Sequence, residues 1–221
     1  MSGVRLAVFD CDGTLVDGQA DVLFAMRRAF ERAGLPPPPP VEVRRLVGLS
    51  LAVAIRELAP HASEAEQRAL TEFYKSSFRA RREEGLLDEP LYEGIHALLH
   101  RLHEAGWALA VATGKSDRGL AACLAGHRIA DLFVSLQTAD RHPSKPHPAM
   151  LEAALFEAGA QRYEAVMVGD TSYDMQMAHA ARVRAIGVSW GYHPPHELLA
   201  TGADIVVQSV AQLGEELDRF A

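Results

Sequence analysis

Cysteine is nearly missing from this sequence: Cys11 and Cys123 are the only two in 221 residues. Their separation excludes the C-x-x-C spacing of a zinc or redox centre and makes a reducing, cytoplasmic setting the expectation. An excess of positive charge is missing too, since 22 Lys and Arg face 29 Asp and Glu for a formal net charge of −7. Such a chain lacks the basic footprint that nucleic acid or an acidic membrane surface requires. No apolar run approaches the roughly 18 residues of a membrane span, and the opening "VRLAVFD" is too short an apolar run for a secretory signal. The expected picture is a soluble, unprocessed protein whose partner is a small molecule; oligomeric state is not readable. Two nucleotide-binding signatures are absent as well. No G-x-G-x-x-G follows the first apolar run, and "GKS" at 114–116 fails as a P-loop because Leu109 stands where that loop needs glycine.

What the sequence does contain is ordinary globular material, 48% hydrophobic and 23% charged, enough to bury a sizeable core. Short apolar runs at 5–9, 108–113, 165–169, 185–189 and 204–208 read as strands buried on both faces. Helical patterns at 94–105, 117–125, 148–158, 173–181 and 195–200 lie between or after them. Alternating strand and helix predicts an α/β, Rossmann-like parallel sheet with helices on both faces. The interval 18–87 breaks that rhythm. It offers only amphipathic stretches at 21–33, 51–59 and 63–84, with Pro36–Pro40 as a stiff connector. The expected organisation is a core of residues 1–17 and 88–221 and an inserted helical unit of residues 18–87.

Ligands of an open parallel sheet bind beyond the carboxyl ends of its strands. After the first strand come Asp10, Asp12 and Asp17; after the 108–113 strand come Thr113, Gly114, Lys115 and Ser116; after the 165–169 strand come Asp170 and Asp174. Lys145 stands just ahead of another helix, in "SKPHP". Asp10, Asp12, Asp170 and Asp174 gathered in one crevice would raise each other's pKa unless a cation neutralised them. Oxygen-only ligands select a hard ion, Mg²⁺ being the default beside phosphate. Helix capping would explain Asp174 alone, but not the pair straddling Cys11. Phosphate would then meet the Thr113 hydroxyl, the Lys145 ammonium and the backbone N–H groups from Cys11 to Gly13.

The segments "DCDGTLVD" (10–17), "VATG" (111–114), "SKPHP" (144–148) and "VGDTSYDM" (168–175) resemble the four ordered motifs of the haloacid dehalogenase-like hydrolases. The helical interval resembles the cap of their phosphoglycolate phosphatase and β-phosphoglucomutase branch. The resemblance implies that Asp10 is a nucleophile that becomes an aspartyl phosphate and that Asp12 is the general acid and base. It implies that Thr113, Gly114 and Lys145, with the Cys11–Gly13 turn, bind the phosphoryl group. Mg²⁺ would be held by Asp10, Asp170 and the Asp12 carbonyl, with Asp174 orienting Asp170 or Lys145.

Asp12 separates this chain from true dehalogenases, which expel halide and lack an aspartate there. The implied function is a Mg²⁺-dependent phosphatase of a small phosphorylated metabolite, phosphoglycolate-like or a sugar phosphate. A phosphomutase is the alternative, although Val22 and Leu51 stand where those enzymes carry a cap histidine and arginine. A receiver-like phospho-signalling module is a further one, disfavoured by the long helical insertion. Arg44 and Arg45 are cap candidates for a second anionic group of the substrate, as are Lys115 and Arg118 from the core side. His142, His147 and His193 are expected at the surface, Cys11 as a packed small residue, and Asp17 as a turn or capping residue where the chain leaves the core.

Overall fold

The computed structural model describes residues 3–220. Its frame grows from β1 (Leu6–Phe9), four residues wholly shielded from solvent. Successive side chains of a strand point to opposite faces. Ala7 and Phe9 accordingly enter one hydrophobic core, and Leu6 and Val8 enter another on the other face. β2 (Ala108–Thr113), β3 (Phe133–Thr138), β4 (Ala165–Gly169), β5 (Arg184–Val188) and β6 (Ile205–Val207) extend β1 into a parallel sheet ordered β3-β2-β1-β4-β5-β6. The order reverses at β1, which pairs with both β2 and β4. In register, Phe9 faces Val111 and Val168, so Asp10, Thr113 and Asp170 emerge side by side at one end of the sheet.

The helices in chain order are α1 (Gln19–Arg32), α2 (Pro40–Arg45), α3 (Leu51–Leu58), α4 (Glu64–Glu83), α5 (Ile95–Glu104), α6 (Asp117–Gly126), α7 (Ala149–Ala158), α8 (Ser172–Ala181), α9 (Pro195–Ala200) and α10 (Val210–Asp218). One face of the sheet is covered by α5, α6 and α10 through Leu99, Leu120 and Leu213. The other is covered by α7, α8 and α9 through Leu151, Met175 and Leu198. Helices α1–α4 pack around a third core of their own, which includes Met26, Phe30, Val43, Ile55 and Leu70. A reciprocal cap starts α4: the Ser63 N–H donates to Glu66 at 2.7 Å and Glu66 N–H donates back to the Ser63 hydroxyl at 3.4 Å. Among the described residues, no helix is long and apolar enough to cross a membrane.

Three elements have no counterpart in the sequence expectation. Strand β3 lacks a continuous apolar run because Ser135 and Gln137 occupy its inward positions; both are buried, and Gln137 donates to the Ser135 hydroxyl at 2.7 Å. Helix α2 hides behind the proline run, whose last member, Pro40, opens it, a position that suits proline's fixed φ. Helix α10 starts at Ser209, whose hydroxyl caps it by accepting from the Gln212 N–H.

Candidate active site

The turn after β1 is shaped by glycine. Gly13 sits at φ +84°, and a Cβ there would fall 2.2 Å from the Asp170 carboxylate and 2.5 Å from the Tyr192 ring. No other residue fits between β1 and the loop after β4. Two backbone N–H groups of this turn serve the turn itself: Gly13 donates to the Val16 carbonyl at 2.9 Å and Cys11 to the Asp10 carboxylate at 2.7 Å. The Cys11 side chain packs wholly buried near Cys123, as a small core residue.

Asp10 is fully buried. Its Oδ1 meets the Lys145 Nζ at 2.9 Å, while its Oδ2 is buried without a hydrogen-bond partner. Lys145, also fully buried, reaches Asp174 Oδ1 at 2.6 Å, so one ammonium bridges two acids. Asp174 Oδ2 accepts from the Thr171 N–H at 3.0 Å and its hydroxyl at 2.7 Å. Asp174 thus caps α8 and anchors Lys145 at once. Asp170 is held by the Thr14 hydroxyl and the Tyr192 N–H, each at 2.8 Å.

Carboxylate oxygens of Asp10, Asp170 and Asp174 lie within 4.8 Å of one another. Burial pushes Asp10 up to about 7; Lys145 opposes the rise, and Asp174 and Asp12 add to it. Burial likewise lifts Asp170 well above the carboxylate range, reinforced by Asp10 and Asp174. Desolvation works against the Lys145 charge, yet the two acids outweigh it and keep the ammonium protonated. A buried trio of acids with one bridging lysine and one orphaned oxygen is a donor set suited to a hard divalent cation.

Asp12 faces a different cation. Its Oδ1 is 2.9 Å from the Lys115 Nζ, which donates to Glu89 Oε1 at 2.5 Å. The Asp12 contact is a meeting of charges without directed hydrogen-bond geometry, because the same oxygen has no hydrogen-bond partner. Lys115 is therefore committed to acids of the core and is not free to receive a second anionic group. Arg118 stays exposed on α6. Thr113 is buried at the end of β2, and its hydroxyl accepts from the Lys115 N–H at 3.2 Å.

Asp10, Asp12, Thr113 and Gly114 form one wall of a cavity of about 470 Å³. The opposite wall comes from α1–α4 and the 46–50 loop, and includes both Val22 and Leu51. Arg44 and Arg45 do not line it, which corrects their expected role. Arg45 instead grips Glu197 of α9 with two hydrogen bonds of 3.0 and 2.9 Å. Its carbonyl lies 3.1 Å from both the Tyr173 hydroxyl and His193 Nε2. His193 is a second correction: it is 3% exposed, and its Nδ1 accepts from the Ser172 N–H at 3.1 Å. His147 is exposed as expected, and His142 is half-buried against Gln137 at 2.7 Å. Asp17 accepts from the Gln19 N–H at 3.2 Å, the turn role expected of it. Glu89, Tyr192 and Tyr74 carry no signal in the sequence, being single polar or aromatic residues in loops or on a helix with no motif around them.

A family model described as haloacid dehalogenase-like hydrolase matches residues 7–188. Phosphoglycolate phosphatase of Vibrio vulnificus is 31% identical over 222 residues, covering 95% of this chain and 94% of its own. The probable phosphatase IndB of Dickeya dadantii is 33% identical over 213 residues, covering 94% and 91%. Among solved structures, a predicted phosphatase from Clostridium acetobutylicum superposes with a TM-score of 0.88 at 25% identity, covering 99% of this chain and 100% of its own.

Proposed function

Since the chain belongs to the haloacid dehalogenase-like hydrolases and is a phosphatase among them, we propose that it hydrolyses a small phosphate monoester through an aspartyl phosphate formed on Asp10. The observation that carries this reading is the asymmetry of Asp10: Lys145 holds Oδ1, and Oδ2 is left without a partner where the carboxylate borders the cavity. A nucleophile needs that combination, one oxygen fixed and the other unencumbered.

In this mechanism Asp10 Oδ2 attacks phosphorus while the ester oxygen leaves. The Thr113 hydroxyl and the third N–H of Lys145 donate to the phosphoryl oxygens, on which charge builds. Asp12 gives a proton to the departing alkoxide and then takes one from the water that hydrolyses the acyl phosphate. Asp174 acts by positioning Lys145. Mg²⁺ fits the Asp10 and Asp170 carboxylates with the Asp12 carbonyl, and when bound it supplies charge neutralisation for the acids and the phosphoryl group. In the proposed division of labour residues 1–17 and 88–221 carry the chemistry and residues 18–87 cap it.

A phosphomutase reading draws no support from the cavity, where Val22 and Leu51 offer only carbon. The test is Asp10→Asn assayed with a generic phosphate ester and Mg²⁺. Turnover should fall by at least about a thousandfold with the fold intact, and EDTA should silence the unaltered enzyme reversibly. Substantial turnover by the variant would refute the mechanism. The phosphoglycolate phosphatase of Vibrio vulnificus makes phosphoglycolate a natural first substrate to assay.

A further inference from the structure

The cavity differs sharply between its two ends. At about 470 Å³ it falls in the range of pockets that enclose sizeable organic ligands. Its core end is polar, with Asp10, Asp12 and Thr113. The wall supplied by the helical layer is mostly carbon: Met26 of α1, Val43 of α2, Leu51 and Leu58 of α3, Tyr74 and Phe78 of α4. The last two rings brace each other at 5.0 Å between centroids. Met26 and Val43 belong to the same buried core that holds α1–α4 together, and Leu51, Leu58, Tyr74 and Phe78 pack against it, so this wall is anchored in packed helix.

The cations on the cavity do not alter that character. Lys115 is committed to Asp12 and Glu89, and Lys75 is paired with Glu72 at 3.1 Å. Arg79 and Arg118 are exposed, and Arg82 is half-buried at the border with a neighbouring hollow beside Gly85 and Leu87, so these charges flank the apolar wall, where they would draw in a dianion. A sugar ring seated against this wall would lose water from its hydroxyls and gain few partners, the Ser50, Thr71 and Tyr74 hydroxyls being the polar groups between the carbon side chains, and a short carboxylate would fare worse. A hydrocarbon body gains from the same burial.

The geometry points to a phosphate monoester with an apolar body of several carbons, branched or aromatic, as the substrate class of this site. The inference rests on the phosphatase reading and narrows it, away from phosphoglycolate and sugar phosphates. The body lies against Met26, Leu51, Leu58, Tyr74 and Phe78 while the phosphate reaches Asp10.

The experiment measures kcat/KM, with Mg²⁺, for primary alkyl phosphates of increasing length, 2-phenylethyl phosphate, phosphoglycolate and a hexose phosphate. Primary alkyl leaving groups are closely matched, so the alkyl series reads the pocket and not the chemistry. We expect a rise of about threefold to fourfold per methylene until the cavity is filled. Hexyl phosphate should then exceed phosphoglycolate by on the order of a hundredfold. Ala54→Phe, which adds a ring to the same wall, should move the optimum to shorter esters; if that variant does not fold, the series on the unaltered protein decides alone. A flat or falling series, with phosphoglycolate or the hexose phosphate leading, overturns this inference and leaves the phosphatase reading standing. A folded Ala54→Phe protein with an unmoved optimum overturns it too. No phosphate released from any ester, a generic aryl phosphate included, overturns both.

Discussion

At the scale of single residues, the site is a problem of burying like charges. Asp10, Asp170 and Asp174 are all fully shielded from water, and Lys145 bridges two of them. Removing one partner of a buried ionic cluster is far worse than never having built it, because the remaining charges stay dry and unpaired. Lys145→Ala should therefore lower stability by about 3–5 kcal/mol at pH 8 in urea unfolding, as well as abolish turnover. A loss within a few tenths of a kcal/mol would mean that Lys145 does not bridge the acids. These residues were legible in advance because each stands directly after a strand or ahead of a helix in a dense acidic or basic motif. Glu89 and Tyr192 were not. Each works through a single long-range contact, Glu89 on Lys115 and the Tyr192 N–H on Asp170, and such a contact leaves no local pattern. Arg45 misled for the converse reason: its charge suggested an anionic ligand, and the anion proved to be Glu197 of the same chain.

At the scale of elements, the seating of the helical layer sets one wall of the cavity. The 46–50 loop lies directly on Gly114, where a Cβ would come within 2.4 Å of the Leu49 carbonyl and 2.7 Å of the Gly48 carbonyl. Ser50 N–H donates to the Ser144 hydroxyl at 2.8 Å, close to Lys145 in sequence, and Arg45 fastens the layer to α9. Gly114→Ala has no compensating move on its backbone neighbours. It should lower kcat/KM by about tenfold to a hundredfold by shifting the loop, with little change in Tm. Unaltered kinetics would show that the loop is not held against the core in solution. Gly114 was expected to touch phosphate; its position also makes room for another segment's backbone. The strands buried on both faces were readable from continuous apolar runs such as 108–113 and 165–169. β3 was not, since its inward Ser135 and Gln137 satisfy each other and imitate a polar loop.

At the scale of the whole molecule, the buried acids link stability, pH and metal. In the metal-free protein Asp10 is raised to about 7, and Asp170 is raised by the same burial. A carboxylate whose folded-state pKa exceeds its unfolded one binds more protons when folded. Its contribution to stability is full below the unfolded value near 4 and is lost as pH climbs through the folded value near 7. In the proposed mechanism a divalent cation would take the place of those protons. The gain in Tm on adding saturating Mg²⁺ should thus be larger at pH 8 than at pH 5, and a gain independent of pH would place the metal away from these acids. The central claim remains the covalent step on Asp10, and chemical trapping tests it most directly. The enzyme is quenched in acid during turnover of a phosphate ester, reduced with borohydride and mapped by peptide mass spectrometry. The account predicts homoserine at position 10, the product of reducing an aspartyl phosphate there. Continued turnover with position 10 unmodified, or modification at another residue, would contradict it.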